Sequence, residues 1–520
     1  MNLKSMRIPG AIKSPRYAAA CLMLMTVVAG PGGLSRADDV TLVAQAPNTP
    51  RPRRAGPQSG RPSLPPRGVL THIPSTAGGD QGIAVRIVAP SEPRYPGGAP
   101  VAIAVAGGHS AGNASSRMNV ADHGFIEISF AFPGGGRAEA ASGGMYDYRG
   151  PKSIEALRDV ILFALGKTAD TKGQKLSELI KGIRALTSNV GLHGGSHGGN
   201  ACGAAMGLWG HLFPELAWYV SMESPYGDGA VDVILGSRRN RLNPAYDPNT
   251  GILNLSHLAY DPDFQVRPFG AGRGRGPSTP SPYGSLFFDM NGNGQVDGDE
   301  DFMLQPLLFD LGAGPRSWYA VQLMREAHRR NLFGNLRPTH IPTLEESIEF
   351  WRYRDATGLI GDAVRNVPKV AVIVIANETD HVQIAPDYPH ITAQVNAFQR
   401  VGAKFIRLNP DRSYTEWIVG REAPAVPDND AGLTYHAPTI AAALCPDGAV
   451  PKQLLSPAAM CELADRVQAG NFESNLGQIL FPNTPRAIRA TPGAPGPRSP
   501  AVPRKGLGGI KEVSGTFSGR

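Results

Sequence analysis

Residues 190–200 read Val-Gly-Leu-His-Gly-Gly-Ser-His-Gly-Gly-Asn, and this stretch decides the fold. A short apolar strand runs into a Gly-x-Ser-x-Gly pattern centred on Ser196, and a run of small residues with helical character, 199–209, follows. A strand that turns directly into a helix needs a sharp bend, and only small residues on either side let the two elements pack that closely. The stretch therefore predicts a nucleophile elbow with Ser196 at its tip.

A second Gly-x-Ser-x-Gly match, centred on Ser110, competes with the first. Such a pattern alone is weak evidence in a chain that contains 63 glycines. Ser196 is the better candidate because several strands precede it and two follow it, and those later strands can supply an acid and a base. Ser110 has about one strand before it, which would put the nucleophile near the start of the sheet.

Strand and helix patterns alternate around the elbow. The strand candidates are 83–88, 101–106, 125–130, 190–193, 217–222, 370–376 and 405–408, and the helix candidates are 151–165, 199–209 and 390–401. This alternation predicts an α/β fold, with a mostly parallel central sheet and helices on both faces. The stretch from about 225 to 365 interrupts the pattern and predicts an insertion before the penultimate strand.

The order of strand, Gly-Gly-His loop, strand, helix, Gly-x-Ser-x-Gly, strand, insertion, strand-Asp, strand and His resembles the α/β-hydrolase superfamily. Within it, the chain looks most like the dienelactone hydrolase and prolyl oligopeptidase-type catalytic domains, over about residues 80–440. The resemblance implies a serine hydrolase that forms an acyl-enzyme, with a small-molecule ester or peptide as substrate and no organic cofactor. No β-propeller precedes the domain, which slightly favours an ester.

The resemblance also implies an oxyanion hole built from backbone amides. The loop Gly107-Gly108-His109 follows the first central strand, where relatives place one donor, so Gly108 and His109 are candidates. The residue after the nucleophile, His197, supplies the other amide. Two fixed donors that stabilise the tetrahedral oxyanion are often the largest single contribution to catalysis.

The acid of the triad is expected in the turn after strand 370–376. Asp380 lies there, two residues before an apolar residue, and matches the strand-end Asp of the family. Glu378 is a near competitor. Glu223, at the end of the preceding strand, is a remoter one because some relatives place the acid there.

The base is expected after the last strand, since the family order is Ser, acid, His. Three histidines follow Ser196 and lie beyond Asp380. His381 adjoins the acid and His390 begins a helix, so His436 is the predicted base.

Residues 289–300, Asp-Met-Asn-Gly-Asn-Gly-Gln-Val-Asp-Gly-Asp-Glu, match a calcium-binding loop in which oxygen donors alternate around a central glycine. The predicted Ca²⁺ ligands are Asp289, Asn291, Asn293, the Gln295 carbonyl, Asp297 and Glu300. The loop resembles one EF-hand or dockerin repeat. A dockerin needs a pair of such loops and the sequence has no second one, so a structural Ca²⁺ within the insertion is expected.

The N-terminus predicts export. Basic residues precede an apolar run at 18–29 that is too short to span a bilayer, and Ser35-Arg36-Ala37 offers a cleavage site, with 44–46 as a second candidate. Residues 1–37 are therefore a predicted signal peptide, and a secreted or periplasmic protein without stable membrane insertion is expected.

Two Pro- and Arg-rich segments, 38–70 and 482–520, lack the apolar residues needed for a core and flank a predicted hydrolase domain at 71–481. Residues 1–70 carry a net charge of +8 and residues 482–520 carry +6. Since the whole chain has a net charge of +7, the stretch between these segments has a net charge of −7. The basic character lies in the tails, which argues against a nucleic-acid-binding groove on the domain.

Three questions stay open at the level of sequence. Cys445 and Cys461 lie close enough for a disulfide in an exported protein, but two free thiols fit as well. The oligomeric state and the role of the tails are not determined. A non-catalytic, calcium-stabilised binding protein on a hydrolase scaffold is the alternative from another functional class.

Overall fold

The computed structural model describes residues 68–115, 118, 120–227, 234–236, 241–266, 282–298, 300–312, 314–335, 337–376, 380, 382, 384–410 and 452–472. The chain divides into two units, 1–64 and 65–520, and all described residues belong to the second. The signal segment, the basic C-terminal tail and nearly all of the 38–70 linker lie outside the described residues. The same holds for Glu378, His381, His436 and Cys445.

The elements run as follows. The strands are β1 (Val69–Ser75), β2 (Gly79–Val88), β3 (Ala99–Val105), β4 (Ile126–Phe130), β5 (Ala185–Gly195), β6 (Trp218–Met222), β7 (Tyr246–Asp247), β8 (Ile252–Leu253), β9 (Leu258–Gln265), β10 (Tyr283–Phe288), β11 (Phe302–Met303), β12 (Leu307–Asp310), β13 (Pro315–Trp318), β14 (Ala371–Ile375) and β15 (Phe405–Leu408). The helices are α1 (Pro151–Ala164), α2 (Leu176–Leu179), α3 (His197–Trp209), α4 (Val321–Arg329), α5 (Leu344–Arg352), α6 (Ile360–Asn366), α7 (Pro389–Arg400) and α8 (Lys452–Ala469).

The central sheet has eight strands in the order β1-β2-β4-β3-β5-β6-β14-β15. Strand β2 is antiparallel to its neighbours β1 and β4, and every other neighbouring pair is parallel. The predicted fold class, a mostly parallel sheet combined with helices, is confirmed. This strand order with an antiparallel second strand is that of the α/β-hydrolase fold.

Helices lie on both faces of the sheet at β5. Consecutive residues of a strand point to opposite faces. His193 points to α8, where its Nε2 lies 2.9 Å from Ser456 Oγ. Gly194 points the other way, because a Cβ atom there would lie 2.6 Å from the backbone of Gly198 in α3. Strands covered on both faces need apolar residues throughout, and all five residues of β14 are buried.

Strands β7 to β13 and helices α4 and α5 fall between β6 and β14, as an insertion with a hydrophobic core of its own. The rings of Trp318 and Phe350 stack within this core, with centroids 4.0 Å apart. Phe350 also packs edge-on against Trp351, whose Nε1 donates to the carbonyl oxygen of Tyr319. The insertion is therefore a packed layer and can hold residues in fixed positions beside the central sheet.

Several elements were not among the expected ones, and β1 and α8 are two of them. Strand β1 begins at Val69, inside the stretch that composition assigns to the linker, and Thr71 in it donates a 2.6 Å hydrogen bond to Asp170. Helix α8 carries Asp465, which binds Arg94 and Tyr95 at the start of the main domain. Polar residues obscure the alternation of apolar and polar residues that would mark β1 as a strand. The residues that Thr71 and Asp465 contact also lie far away in sequence.

Cys202 and Cys461 are buried and are not part of a disulfide. Burial raises the pKa of the Cys461 thiol to about 12, so this thiol is protonated at neutral pH. Within the described ranges, no helix has the length and apolar character required to cross a bilayer.

Candidate active site

Ser196 lies at the turn between β5 and α3 with φ 52° and ψ −133°, a conformation that side-chain-bearing residues rarely adopt. Its backbone N–H donates to Met222 O at 2.8 Å, and its carbonyl oxygen accepts from Gly199 N at 2.8 Å. Such strain costs on the order of 1–3 kcal/mol and persists where the surrounding structure fixes it. These two bonds hold the turn, and the Ser196 side chain stays partly accessible.

Close packing explains the glycines of the elbow. A Cβ atom on Gly194 would lie 2.6 Å from the backbone of Gly198, and one on Gly198 would lie 2.4 Å from Val105 O. Neither position tolerates a side chain without moving the backbone. The spacing of these residues is therefore a requirement of packing the start of α3 directly against β5 and the end of β3.

The competing Ser110 lies in a different setting. It is exposed, in an irregular stretch after β3, and the described residues directly after it, 111–115, are not helical. The flanking Gly108 and Gly112 have φ of +71° and +70°, but Ser110 itself has no left-handed backbone. The strand-to-helix geometry of an elbow is present at Ser196 and absent at Ser110.

The predicted oxyanion loop runs against Ser196. A Cβ atom on Gly107 would lie 2.6 Å from Gly195 O and 3.3 Å from Ser196 Cβ, so only a glycine lets the loop approach this closely. His197, whose amide is another candidate donor, is the first residue of α3. The N-terminus of a helix carries free N–H groups and a partial positive charge, which favour a developing anion.

The side chains of His109 and His197 pack on each other, with ring centroids 4.3 Å apart. Burial, together with the positive charges of Arg149 and Arg354, lowers the pKa of His109 to about 4. His109 is therefore neutral at neutral pH. It adds no positive charge beside the loop and contributes a ring that packs there.

Asp380 is buried, and its carboxylate accepts hydrogen bonds from a backbone amide and from a histidine. Oδ1 accepts from the backbone N–H of Val382 at 2.7 Å, and Oδ2 accepts from Nε2 of His390 at 2.8 Å. His390 is the second residue of α7 and is fully buried, and its Nδ1 has no hydrogen-bond partner among the described residues. Sequence reasoning had set His390 aside as a helix-start residue, and the contact with Asp380 was not anticipated.

Within the described part of the chain, no histidine forms a hydrogen bond with Ser196 Oγ. His436 lies outside the described residues, and so does His381. The assignment of His436 as the base therefore stays a prediction.

Glu223 is a second buried carboxylate near the elbow. It follows Met222, the residue whose carbonyl oxygen holds Ser196 N, and it has zero exposure and φ 46°. Its own N–H donates to Ile375 O at 3.1 Å, at the end of the neighbouring β14. Because Glu223 and Asp380 follow adjacent strands, both remain candidates for the acid.

A cavity of about 570 Å³ lies between residues 145–152 and the insertion. Phe350, Trp318, Tyr353 and Tyr146 supply aromatic walls, and the exposed side chains of Met145 and Leu311 lie at the cavity as well. The neighbouring rings of Tyr148 and Phe309 stack with centroids 4.0 Å apart. The ring centroid of Phe309 lies 5.6 Å from that of His109 and 6.2 Å from that of Phe350. These contacts form one aromatic layer between the predicted oxyanion loop and the cavity wall.

The side chains of the predicted calcium loop converge. Nδ2 of Asn291 lies 3.0 Å from Asp297 Oδ2 and 2.9 Å from Glu300 Oε2, and Nδ2 of Asn293 also contacts Asp297. Asp289 accepts from two loop amides, which curls the backbone around its carboxylate. Rotation of the two Asn amides would present their oxygens to the same centre, so this donor set fits a hard dication. Among the described residues, which exclude 299, no group of three or more His, Cys, Asp or Glu forms a preassembled metal site.

Two buried carboxylates outside the predicted ligand set hold this loop. Asp261 accepts from Val296 N at 2.9 Å, and Asp301 accepts from Met290 N at 2.8 Å and Asp297 N at 2.9 Å. They anchor both halves of the loop to the small sheet of the insertion. Their role could not be inferred from the loop pattern, which ends at residue 300.

No family model matches the chain, and no curated protein matches it. Among solved structures, the chain is similar to a fungal esterase from Rhizomucor miehei, with 10% identity, a TM-score of 0.34 and coverage of 80% of this chain and 86% of that one. It is also similar to carboxyl esterase 2 from Tuber melanosporum, with 10% identity, a TM-score of 0.32 and coverage of 68% and 77%. A prolyl endopeptidase matches with 18% identity, a TM-score of 0.21 and coverage of 32% and 22%. Similarities this low say nothing about a substrate, and the fold assignment rests on the strand order given above.

Proposed function

We propose that this chain is an exported serine hydrolase that cleaves a carboxylic ester or amide through an acyl-enzyme, with Ser196 as the nucleophile. One observation carries the proposal. Ser196 is held in a strained strand-to-helix turn directly beside the 106–110 loop, so a carbonyl group attacked by Oγ would have backbone amides close to its oxygen. A fold-maintaining serine has no need of this conformation, which costs stability.

In the proposed reaction, Ser196 Oγ attacks the substrate carbonyl and its proton passes to His436. Asp380 orients His436, and the amides of Gly108, His109 and His197 hold the oxyanion. The backbone N–H of Val382 and Nε2 of His390 hold the Asp380 carboxylate in place, in the turn after β14 where the family places its acid. Glu223 is the alternative acid.

We favour an ester over a peptide as the substrate. The cavity beside the Tyr148–Phe309 pair supports an ester with an apolar group, since four aromatic side chains are among its walls. Charged side chains, Asp147, Lys152 and Arg316 among them, line it as well. Its volume is in the range of sites that bind small organic molecules.

We also propose that the loop 289–300 binds one Ca²⁺ through Asp289, Asn291, Asn293, the Gln295 carbonyl, Asp297 and Glu300, and that this ion stabilises the insertion. The convergence of the Asn291, Asp297 and Glu300 side chains supports this proposal. Secretion or export to a periplasm, where calcium is abundant, is consistent with it.

Labelling of the purified protein with a fluorophosphonate probe tests the enzymatic proposal. We expect one labelled peptide, containing Ser196, and hydrolysis of simple aryl esters. A protein that is neither labelled nor active on a panel of esters and peptides would favour a calcium-stabilised binding protein instead.

A further inference from the structure

The side chain of Arg149 contacts backbone carbonyl oxygens of the predicted oxyanion loop, residues 106–110. This side chain is buried, and Nη2 donates to the carbonyl oxygen of Ala106 at 2.6 Å. The same nitrogen faces three more carbonyl oxygens of the loop at longer distances, those of Gly107 at 3.3 Å, Gly108 at 3.5 Å and Ser110 at 3.4 Å. The positively charged guanidinium therefore interacts with four carbonyl groups of the loop at once.

This arrangement is costly for the fold. No carboxylate forms an ion pair with Arg149 among the described residues, and its Nε and Nη1 have no hydrogen-bond partner there. The guanidinium lies over the ring of Phe132, 3.8 Å from the ring centroid, and burial lowers its pKa. A buried charge without a counter-ion is destabilising, so packing alone does not account for an arginine at this position.

The backbone that presents Arg149 is strained as well. Tyr148 and Arg149 have φ of 53° and 66°, two consecutive left-handed residues that are not glycine. Arg354, from the end of the insertion, holds this turn through a 2.7 Å bond from its Nε to Tyr148 O and a second bond to the carbonyl oxygen of Asp147. The insertion thus fixes the segment from which Arg149 reaches the loop.

The consequence follows from the geometry of the peptide group. In a trans peptide, the C=O of one residue and the N–H of the next point in opposite directions, and the described chain has no cis peptide bond. When the carbonyls of Gly107 and Gly108 turn towards Arg149, the N–H groups of Gly108 and His109 turn away from it. A Cβ atom on Gly107 would lie 3.3 Å from Ser196 Cβ, so the loop borders the place where a substrate would meet the nucleophile.

We infer that Arg149 is a positioning residue that aims the Gly108 and His109 amides at the oxyanion, with Arg354 fixing the turn that carries it. This inference rests on the proposed function. Arg149 does not touch the reacting atoms. It acts by preventing the loop peptides from rotating, which would replace a donor by a carbonyl oxygen beside the developing negative charge.

The test compares Arg149→Met and Arg149→Lys with the parent protein, using an aryl ester and a trifluoromethyl ketone. In the ketone adduct, Ser196 Oγ bonds to the carbonyl carbon, its proton passes to the base and the ketone oxygen becomes the oxyanion. We expect Arg149→Met to lower kcat at least tenfold with little change in KM, and to weaken ketone binding by a similar factor. Loss of one oxyanion donor costs about 10²–10³ in kcat elsewhere. Arg149→Lys keeps the charge without the fork, so we expect an intermediate effect.

Arg330→Met is the matched control. Arg330 Nη1 also donates to several carbonyl oxygens, but within the insertion. They belong to Leu255, Ser256 and Leu258, at 3.3, 3.1 and 2.7 Å. We expect Arg330→Met to lower the melting temperature of the protein without changing the ratio of ketone affinity to KM. If Arg149→Lys, or a folded Arg149→Met, loses stability yet binds the ketone as tightly as the parent, the inference is wrong. If the parent itself is not labelled at Ser196, the proposed function fails instead, and the two failures are therefore distinguishable.

Discussion

The Nε2 atom of His390 donates a 2.8 Å hydrogen bond to Oδ2 of Asp380, and the two side chains are 0% and 1% exposed. The carboxylate that sequence order assigns to the triad is thus already paired with a histidine other than the predicted base. His390 contacts it through Nε2 and is fully enclosed, which suits a residue that holds Asp380. A proton shuttle would need access to Ser196.

His390→Gln and His436→Ala separate these roles. Removing His390 leaves a buried carboxylate with one bond fewer, so we expect it to lower the free energy of unfolding by about 1–3 kcal/mol while part of the turnover remains. Removing His436 should leave stability nearly unchanged and reduce kcat by several orders of magnitude, on the order of 10⁴ or more, because Ser196 loses its base. Denaturant titration and kcat measurements on both variants check this. The reverse pattern would make His390 the base and His436 dispensable.

Calcium should stabilise the protein through the 289–300 loop. Binding to the folded state alone adds about 2.7 kcal/mol at a ligand concentration of 100 Kd, so we expect a rise in Tm with added Ca²⁺ and a fall with chelator. Asp289→Asn removes a charge at the first loop position and should abolish this response. Asp247→Asn is the control, since the Asp247 carboxylate also holds a turn outside the calcium loop, by accepting from the Asn249 amide and the Thr250 hydroxyl. A calcium response that survives Asp289→Asn, or a parent indifferent to chelator, would contradict the assignment.

The cavity gives a prediction on specificity. Leu311 is 45% exposed at the cavity, so Leu311→Trp should fill space there without disturbing the core. We expect kcat/KM for a bulky arylalkanoate ester to fall at least tenfold while kcat/KM for the acetate ester stays within about twofold, since one or two lost apolar groups are worth about 1–3 kcal/mol. Ile252→Trp adds the same ring at a distant exposed position and should change neither value. Equal loss for both esters would show that the cavity does not receive the substrate.

How far the sequence predicts this molecule depends on the range of the interactions involved. Strand β15 has the bounds expected from its apolar run, and the elbow follows from glycine spacing, because both are local patterns. The contacts of Arg149 could not be predicted, since a left-handed arginine has no local signature and its acceptors lie about 40 residues earlier. Helix α8 was missed for a similar reason: Pro457 lies inside it and its partners are distant strands.

Stability should depend on pH through His193. Burial lowers the pKa of His193 to about 4, below the usual 6.5 of an unfolded histidine. The unfolded chain therefore binds the proton first as the pH falls, and stability declines from about pH 6.5 towards pH 4. The loss from this residue reaches up to about 2 kcal/mol at pH 5. His193→Gln should flatten this part of the profile, and His211→Gln, the same change at an exposed position, is the comparison variant. An unaltered pH profile in His193→Gln would exclude His193 as a cause of acid sensitivity.

Ser196→Ala tests the proposed chemistry most directly. In the proposed mechanism Ser196 forms the acyl-enzyme, so we expect loss of covalent labelling by a fluorophosphonate and a fall in kcat of about a million-fold, the cost of losing the nucleophile in a comparable triad enzyme. The fold should survive, because the backbone bonds to Met222 and Gly199 hold the turn without the hydroxyl. Ser110→Ala is the matched control. It removes the hydroxyl of the other Gly-x-Ser-x-Gly, which is exposed and is not followed by a helix at 111–115, so labelling should persist with at most a modest loss from disturbing the adjacent oxyanion loop. If Ser110→Ala abolishes labelling and Ser196→Ala does not, the two serines have been assigned the wrong way round. If neither substitution changes a measured hydrolytic activity, the reaction does not proceed by serine acyl transfer.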